Sequence, residues 1–235
     1  MPQNSVAIIA AGGRGSRMGL DIPKQYAIIS DAPVIVHTIR AFSSLSLKRI
    51  LVLVPEDRLE YTKKLLSDYG VAGADVLCGG KTRNDTIQNA VKFLHDQGEI
   101  DDGTVLITHD SVRPFVTKRL ILECIESARK NGACTVAIPA VDTIVKADSF
   151  VNGILNRDEL MQVQTPQAFN AKLFEKVCSS LDEQEKALAT DCTRLFTLAG
   201  EKVAVVKGES FNLKLTYKTD LVIAKALFDE LSDVL

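Results

Sequence analysis

Ser5-Val6-Ala7-Ile8-Ile9-Ala10-Ala11-Gly12-Gly13-Arg14-Gly15-Ser16-Arg17-Met18-Gly19 is the stretch on which the reading of this chain turns. Its first half, Ser5–Ala10, is apolar without alternation. That pattern predicts a strand buried on both faces, as in a parallel sheet covered by helices. The strand stops at a glycine-rich turn, where backbone N–H groups are exposed with no side chain in the way, so an oligophosphate can sit against them. Arg14, Arg17 and Lys24 bring three cations within eleven positions of one another, and Pro23-Lys24-Gln25 closes the segment. Backbone cradle and fixed cations together suit phosphoryl chemistry, in which charge spreads over several oxygens.

Outward from this segment, short β-rich runs alternate with helical patterns. Arg49–Val54 reads as a second buried strand, followed by Asp75–Cys78, Thr104–Thr108, Cys134–Val141 and Val203–Val206. Helical periodicity covers Pro33–Ser43, Glu56–Tyr69, Asp85–Gln97, Lys118–Asn131, Lys172–Leu181, Thr190–Ala199 and Thr219–Leu231. The succession predicts an α/β fold: a single Rossmann-like domain over residues 1–235, with a mostly parallel central sheet and helices on both faces. Between Thr143 and Pro166 the rhythm breaks. Ile144–Ala147 and Gly153–Leu155 flank Asp148–Asn152, which predicts a protruding β-hairpin arm at about 143–163 suited to a subunit contact. Gln164-Thr165-Pro166-Gln167 reads as a polar turn.

Composition narrows the class. With 46% hydrophobic residues, the 235-residue chain can fill a core. A net charge of −2 argues against a bulk electrostatic grip on nucleic acid, so anion binding has to come from a local cluster. The five cysteines show no CxxC pairing, which disfavours zinc and a disulfide framework and favours a reducing compartment. The N-terminal residues lack a basic region and a long apolar run, so neither a signal peptide nor a membrane span is expected and the expected location is cytoplasmic.

The glycine loop matches neither common phosphate motif. No GxxxxGK[ST] is present, and the dinucleotide pattern GxGxxG fails where Met18 replaces its third glycine, which weakens a nicotinamide-dependent oxidoreductase reading. Weight therefore moves to the strand ends, where open α/β sheets bind ligands. His109-Asp110-Ser111-Val112-Arg113-Pro114 follows one strand. Asp110 is the candidate Mg²⁺ ligand there, since a hard cation takes oxygen donors and shares them with phosphates; a helix N-cap is its plainer role. His109 is either a base or a hydrogen-bonded histidine at a strand end. Gly79-Gly80-Lys81-Thr82-Arg83-Asn84-Asp85-Thr86 enters a helix from another strand end, where glycines admit a flat ring and Thr86 offers a hydroxyl; an ordinary capped turn reads equally well. Thr143, Arg157, Thr165 and Lys214 stand near further strand ends and turns.

These residues resemble a known family. Ala10-Ala11-Gly12-Gly13-x-Gly15-x-Arg17-Met18-Gly19 with Pro23-Lys24-Gln25 is similar to the signature of cytidylyltransferases acting on sugar-alcohol phosphates. The likeness continues through Gly79-Gly80-x-x-Arg83, His109-Asp110-x-x-Arg113-Pro114, Asp142-Thr143, Gln164-Thr165-Pro166-Gln167-x-Phe169, Thr190-Asp191 and Asn212-x-Lys214-x-Thr216. The resemblance implies attack of a substrate phosphate on the α-phosphorus of CTP with release of pyrophosphate. It implies that Arg17 and Lys24, with Lys214, are the catalytic cations. It places the nucleotide on Ala10, Ala11, Gly12, Gly13, Arg14, Gly15, Ser16, Arg83 and Ser111, with Gly80, Asn84 and Thr86 facing the cytosine. Asp110 would ligate Mg²⁺ or another divalent cation. Asp110, Arg113, Thr143, Arg157, Thr165 and Lys214 would hold the acceptor, with Arg157 reaching across from a partner subunit in a homodimer.

Two branches of the family compete for the acceptor. Thr108–Phe115, Arg83-Asn84-Asp85-Thr86 and Lys207-Gly208-Glu209 are closer to the ribitol-5-phosphate branch, as is Leu160-Met161. Methylerythritol-phosphate enzymes usually carry two alanines where Ser111 and Val112 stand. Ala10-Ala11-Gly12-Gly13 and Lys146 are at home in the methylerythritol-phosphate branch. The expected acceptor is ribitol 5-phosphate, the alternative 2-C-methyl-D-erythritol 4-phosphate. A non-catalytic nucleotide-binding protein is the competing class.

Overall fold

Val6, Ala7, Ile8 and Ile9 are each wholly buried, as a strand covered on both faces requires. The computed structural model describes residues 2–13, 18–19 and 22–231. The strands are β1 (Ser5–Ala10), β2 (Ile28–Ile29), β3 (Ala32–Pro33), β4 (Arg49–Val54), β5 (Ala74–Cys78), β6 (Val105–Asp110), β7 (Ala133–Pro139), β8 (Val145–Ala147), β9 (Val151–Ile154), β10 (Met161–Asn170) and β11 (Ala204–Lys207). The helices are α1 (Val34–Ser43), α2 (Leu59–Asp68), α3 (Arg83–Asp96), α4 (Lys118–Asn131), α5 (Ala171–Ser180), α6 (Glu183–Leu188), α7 (Cys192–Leu198) and α8 (Lys218–Leu231).

Among the described residues, seven strands form one sheet in the order β11-β7-β10-β6-β1-β4-β5. β1 pairs parallel with β4 and β6, β4 with β5, and β11 with β7. The pleat sorts side chains between two layers. Ala7 and Ile9 of β1, with Val52 and Val54 of β4, pack with Ile35, Ile39 and Phe42 of α1 and Ile121 and Ile125 of α4. Val6 and Ile8, with Leu51 and Leu53, pack on the other face with Ile87 and Leu94 of α3 and with Phe169, Phe174 and Phe196. This is the mostly parallel α/β architecture that the alternation of patterns predicts.

β10 is the main departure. Gln164–Gln167 is not a free turn; it lies inside a ten-residue strand, antiparallel to both β6 and β7. Proline is rare inside a sheet because it cannot donate to the ladder. Here Pro166 falls where the β10–β7 register shifts, between Val163 and Gln167, so the irregularity absorbs the missing donor. Two smaller corrections follow. Residues 183–188 form α6, whose start is fixed by a capping box between Asp182 and Glu185. The helix expected from Thr190 begins at Cys192, because Asp191 is its N-cap and accepts from the Arg194 N–H. β8 and β9 pair only with each other, in a two-stranded ribbon outside the main sheet.

Candidate active site

A cavity of about 390 Å³ opens at the carboxyl ends of β1 and β6 and the start of α3, where an open α/β sheet leaves a crevice. Its lining includes Ala10, Gly12, Gly13, Lys24, Gly80, Arg83, Thr86, Asp110, Ser111 and Lys214, all expected from the sequence. Gln25, Lys81, Thr82 and Val112 also line it. Lys81 and Thr82 were visible in the glycine segment but carried no role. Gln25 stands in the Pro23-Lys24-Gln25 signature, without a role of its own.

Each side of the cavity is fixed by local chemistry. Lys24 heads a single 3₁₀ turn, Lys24–Tyr26. That turn is tied to the end of β1 by the Gln25 amide, which donates to the Ala11 carbonyl at 2.8 Å. Opposite, α3 starts at a capping box in which Thr82 accepts from the Asp85 N–H and the Asp85 carboxylate accepts from the Thr82 N–H. The cap sets where Arg83 and Thr86 project. Lys214 lies in an extended segment between Leu213 and the fully buried Leu215, which pack with Phe115 and α8. That anchoring directs its ammonium to Asp110, 2.9 Å away.

The glycines divide into two kinds. A Cβ on Gly80 would stand 2.2 Å from the Asp85 Cβ and 2.8 Å from the Thr86 nitrogen, so the close turn there demands glycine. Among the described residues, a Cβ on Gly12 or Gly13 would meet nothing within 4 Å. Packing therefore does not require glycine at these two positions, whereas a ligand lying against their backbone would.

Asp110 is the carboxylate among the described lining residues, which also include the cations Lys24, Lys81, Arg83 and Lys214. Arg83 Nε lies 3.4 Å from it and Arg113 Nε 3.6 Å. Burial by itself would raise the carboxyl; Arg83, Lys214 and Arg113 outweigh it and hold Asp110 well below the usual carboxylate range. Burial depresses Arg113, against the attraction of Asp110. At Arg83 burial is overcome by Asp110 and its neighbours, and the pKa rises. Arg83 Nη2 and Arg113 Nε are buried with no hydrogen-bond partner among the described residues. The surplus of positive charge among the lining side chains, with the unsatisfied Arg83 Nη2 beside it, suits the site to polyanions.

Behind Asp110 the polar groups interlock. Gln167 of β10 accepts from Arg83 Nη1 at 3.4 Å and donates to Asp191 and Thr193 at 2.8 and 2.7 Å. The sequence reading gave this cluster no role, because it forms only when β10 enters the sheet. Asn212 donates to the Thr165 carbonyl at 2.8 Å and its own carbonyl accepts from Arg113 Nη1 at 2.8 Å. His109 is wholly buried beside Phe42, with ring centroids 5.3 Å apart. Burial pushes its pKa down to about 4, partly opposed by the Arg113 carbonyl, so it is a neutral, hydrogen-bonded ring rather than a base open to solvent.

Other expected residues stand elsewhere. Ala11 is buried in the core beneath β1. Arg113 and Thr165 back Asp110 from below, the Thr165 hydroxyl accepting from the Asp110 N–H at 3.2 Å. Asn84 points away from the cavity: its amide donates to the Ala189 and Lys186 carbonyls at 2.6 and 3.2 Å, pinning the end of α6. The Thr86 hydroxyl donates to the Thr82 carbonyl at 2.8 Å and accepts from the Gly80 N–H at 3.0 Å, so it braces the turn. Thr143 and Arg157 flank the β8–β9 ribbon and are exposed; the Arg157 guanidinium donates to the Val141 carbonyl at 2.9 Å. Arg14, Gly15, Ser16 and Arg17 lie outside the described residues.

Residues 5–230 match the family model of IspD, 2-C-methyl-D-erythritol 4-phosphate cytidylyltransferase. The chain belongs to that family. It is 38% identical over 230 residues to a ribitol-5-phosphate cytidylyltransferase of Lactiplantibacillus plantarum, covering 96% of this chain and 99% of that one. Its fold matches 4-diphosphocytidyl-2C-methyl-D-erythritol synthase from Anaerococcus prevotii with a TM-score of 0.77 at 30% identity, over 97% of this chain and 96% of that chain. The 2-C-methyl-D-erythritol 4-phosphate cytidylyltransferase of Thermus thermophilus matches with a TM-score of 0.75 at 29% identity, over 96% and 98%. As a cytidylyltransferase the protein is a CTP-dependent nucleotidyltransferase, and the cationic cavity is its candidate active site. Among the described residues, no helix is long and apolar enough to cross a membrane.

Proposed function

We propose that this cytidylyltransferase transfers CMP from CTP to D-ribitol 5-phosphate, giving CDP-ribitol and pyrophosphate. The observation that carries the transfer chemistry is Asp110, the one carboxylate among the described lining residues, set among lining cations in the cavity that Gly12 and Gly13 also line. An acceptor phosphate oxygen attacks the α-phosphorus of CTP; one P–O bond forms as the bond to the β-phosphate oxygen breaks and pyrophosphate leaves. The incoming phosphate is already anionic, so no side chain has to remove a proton. The work left to the protein is to align two polyanions and to neutralise charge on the equatorial oxygens. Lys24 is held at the glycine edge for this purpose, and the family resemblance adds Arg17. Lys214 would stand on the acceptor side, with Arg113 behind Asp110.

The donor set also fits a divalent cation. Among the described residues, no three His, Cys, Asp or Glu side chains are grouped to hold a metal by themselves. Mg²⁺ does not need such a cage, since it is commonly held by one or two carboxylates together with substrate phosphates. Asp110, kept ionised by its cations, would hold an ion that arrives on the triphosphate. Bound there, the ion would neutralise phosphate charge.

Ribitol 5-phosphate is favoured by the 38% identity along nearly the whole length of the Lactiplantibacillus plantarum enzyme and by Ser111 and Val112 at the cavity wall. The solved structures with 2-C-methyl-D-erythritol names support the alternative acceptor. The test is pyrophosphate release from CTP with each acceptor in turn. We expect kcat/KM for ribitol 5-phosphate to exceed that for 2-C-methyl-D-erythritol 4-phosphate by roughly tenfold or more. Equal values, or the reverse order, would overturn the assignment. CTP binding with no pyrophosphate release from any polyol phosphate would point to the non-catalytic reading.

A homodimer is part of the same proposal. Val141, Phe150, Val151 and Ile154 stand exposed on and beside the ribbon, an apolar surface suited to a second copy. Thr143 and Arg157 flank the same ribbon and would complete the acceptor site across the dimer. We place the enzyme in the cytoplasm.

A further inference from the structure

Thr165 is the residue whose hydroxyl the family resemblance offers to the acceptor. Its surroundings leave that hydroxyl no proton to offer. His109 Nε2 lies 3.1 Å from the Arg113 carbonyl oxygen, which can only accept, so Nε2 carries the ring proton. The ring is wholly buried against Phe42, and neither nitrogen has a carboxylate partner among the described residues, so it is neutral. Nδ1 then has a lone pair, and it lies 3.0 Å from Thr165 Oγ1. The Thr165 hydroxyl must donate to it. The same oxygen accepts from the Asp110 N–H at 3.2 Å, and the Arg113 N–H donates to the Asp110 carbonyl at 3.1 Å. The result is a directed ring from Asp110 N–H to the Thr165 hydroxyl, on to His109, and on to the Arg113 carbonyl. It ties β10 to the turn after β6 on both sides of the paired Asp110 and Arg113 side chains. Both His109 and Thr165 are buried, so water does not compete for these bonds.

We infer that His109, as the neutral Nε2–H tautomer, is a positioning residue that takes the Thr165 proton, and that Thr165 acts by holding Asp110 and Arg113 in place rather than by donating to the acceptor phosphate. This rests on the proposed transferase reading for its kinetic consequence, while the direction of the hydrogen bonds is a property of the free protein.

Two measurements test it. In the free protein, ¹⁵N spectra of labelled histidine side chains, with the His109 signals assigned by their loss in His109→Phe, should show Nε2 protonated and Nδ1 bare. A protonated Nδ1 overturns the inference whether or not the chain is an active transferase. In the enzyme, Thr165→Val and His109→Phe should each lower kcat by roughly tenfold or more with acceptor KM changed by less than about threefold. The double variant should be little worse than either single one, because both break the same ring. Thr165→Ser, which keeps the proton, should recover most of the lost rate. A rise in acceptor KM of about tenfold at unchanged kcat in Thr165→Val, absent from His109→Phe, would assign Thr165 to the substrate and overturn the inference. If His109→Phe does not fold, the Thr165→Val and Thr165→Ser pair and the spectrum of the unaltered protein, assigned with His37 and His95 variants, decide the matter.

Discussion

The floor of the cavity and the β8–β9 ribbon hold the two halves of the expected acceptor site, and the fold treats them in opposite ways. On the floor, Asp110, Arg113 and Thr165 are buried and bonded to one another or to groups from β6, β10 and the Asn212–Lys214 segment. Beside the ribbon, Thr143 and Arg157 are exposed and apolar side chains face outward. The floor is preorganised within one chain, as electrostatic catalysis requires. The ribbon has no packed partner among the described residues, so its contribution should depend on a second copy.

The largest effect should come from the cavity rather than the ribbon. Lys24→Ala is expected to reduce kcat by roughly 10²–10³, the loss typical of removing one fixed group that stabilises transition-state charge, with little change in the melting temperature. Steady-state kinetics and a thermal melt together check this; near-normal kcat would remove Lys24 from the chemistry.

Acid should loosen the floor before the ribbon. His109 has a folded pKa of about 4 against an ordinary 6.5, so the unfolded chain binds a proton that the folded one refuses. Its stabilising contribution is complete above pH 6.5 and is lost as pH falls towards 4, by about 3 kcal/mol at most. Asp110 works in a lower window: its depressed pKa adds stability above the ordinary 3.8 that is lost below it. Urea titrations at pH 7 and pH 5 read the first window, and His109→Phe should flatten the difference between them. An unchanged difference in that variant would contradict the assignment.

The ribbon can be tested by complementation. Arg157→Ala should lower kcat/KM for the acceptor by roughly tenfold while leaving KM for CTP unchanged. If Arg157 acts across a dimer, mixing and re-associating Arg157→Ala with Lys24→Ala should restore about a quarter of the sites, since half the dimers are mixed and each has one intact site. No recovery would place Arg157 in its own chain's site or outside both.

The smallest contrast lies between glycines. Gly80→Ala should destabilise by about 1–3 kcal/mol through overpacking against Asp85. Gly12→Ala should change stability by less than about 0.5 kcal/mol and act mainly on KM for CTP. Equal melting shifts in the two variants would erase the distinction.

Much of the site was legible because it is local. Gly80, Asp110 and Ser111 each sit at the end of a strand, Arg83 starts the helix that follows one, and an open α/β sheet gathers such ends on one side. Asn84 was expected to face the cytosine; helical geometry turns its side chain away from Arg83 and Thr86, towards α6, which has no clear periodic pattern in the sequence. Gln164–Gln167 was misread because proline and polar residues mark turns, and only the register shift against β7 lets them continue a strand. Arg157 and Thr143 carry no local sign of which chain they serve.

By itself the sequence determined the alternation of buried strands and amphipathic helices, the glycine turns and the cationic character of the cavity, because strand burial, capping and charge are set by neighbours within a few residues. The tertiary structure alone decided that β10 runs antiparallel between β6 and β7, that Gln167 backs Arg83, and that Thr165 gives its proton to His109. Those contacts join residues far apart in the chain. The glycine turn after β1 offers open backbone, but Asp110 is held in place only once β10 has closed the sheet beneath it.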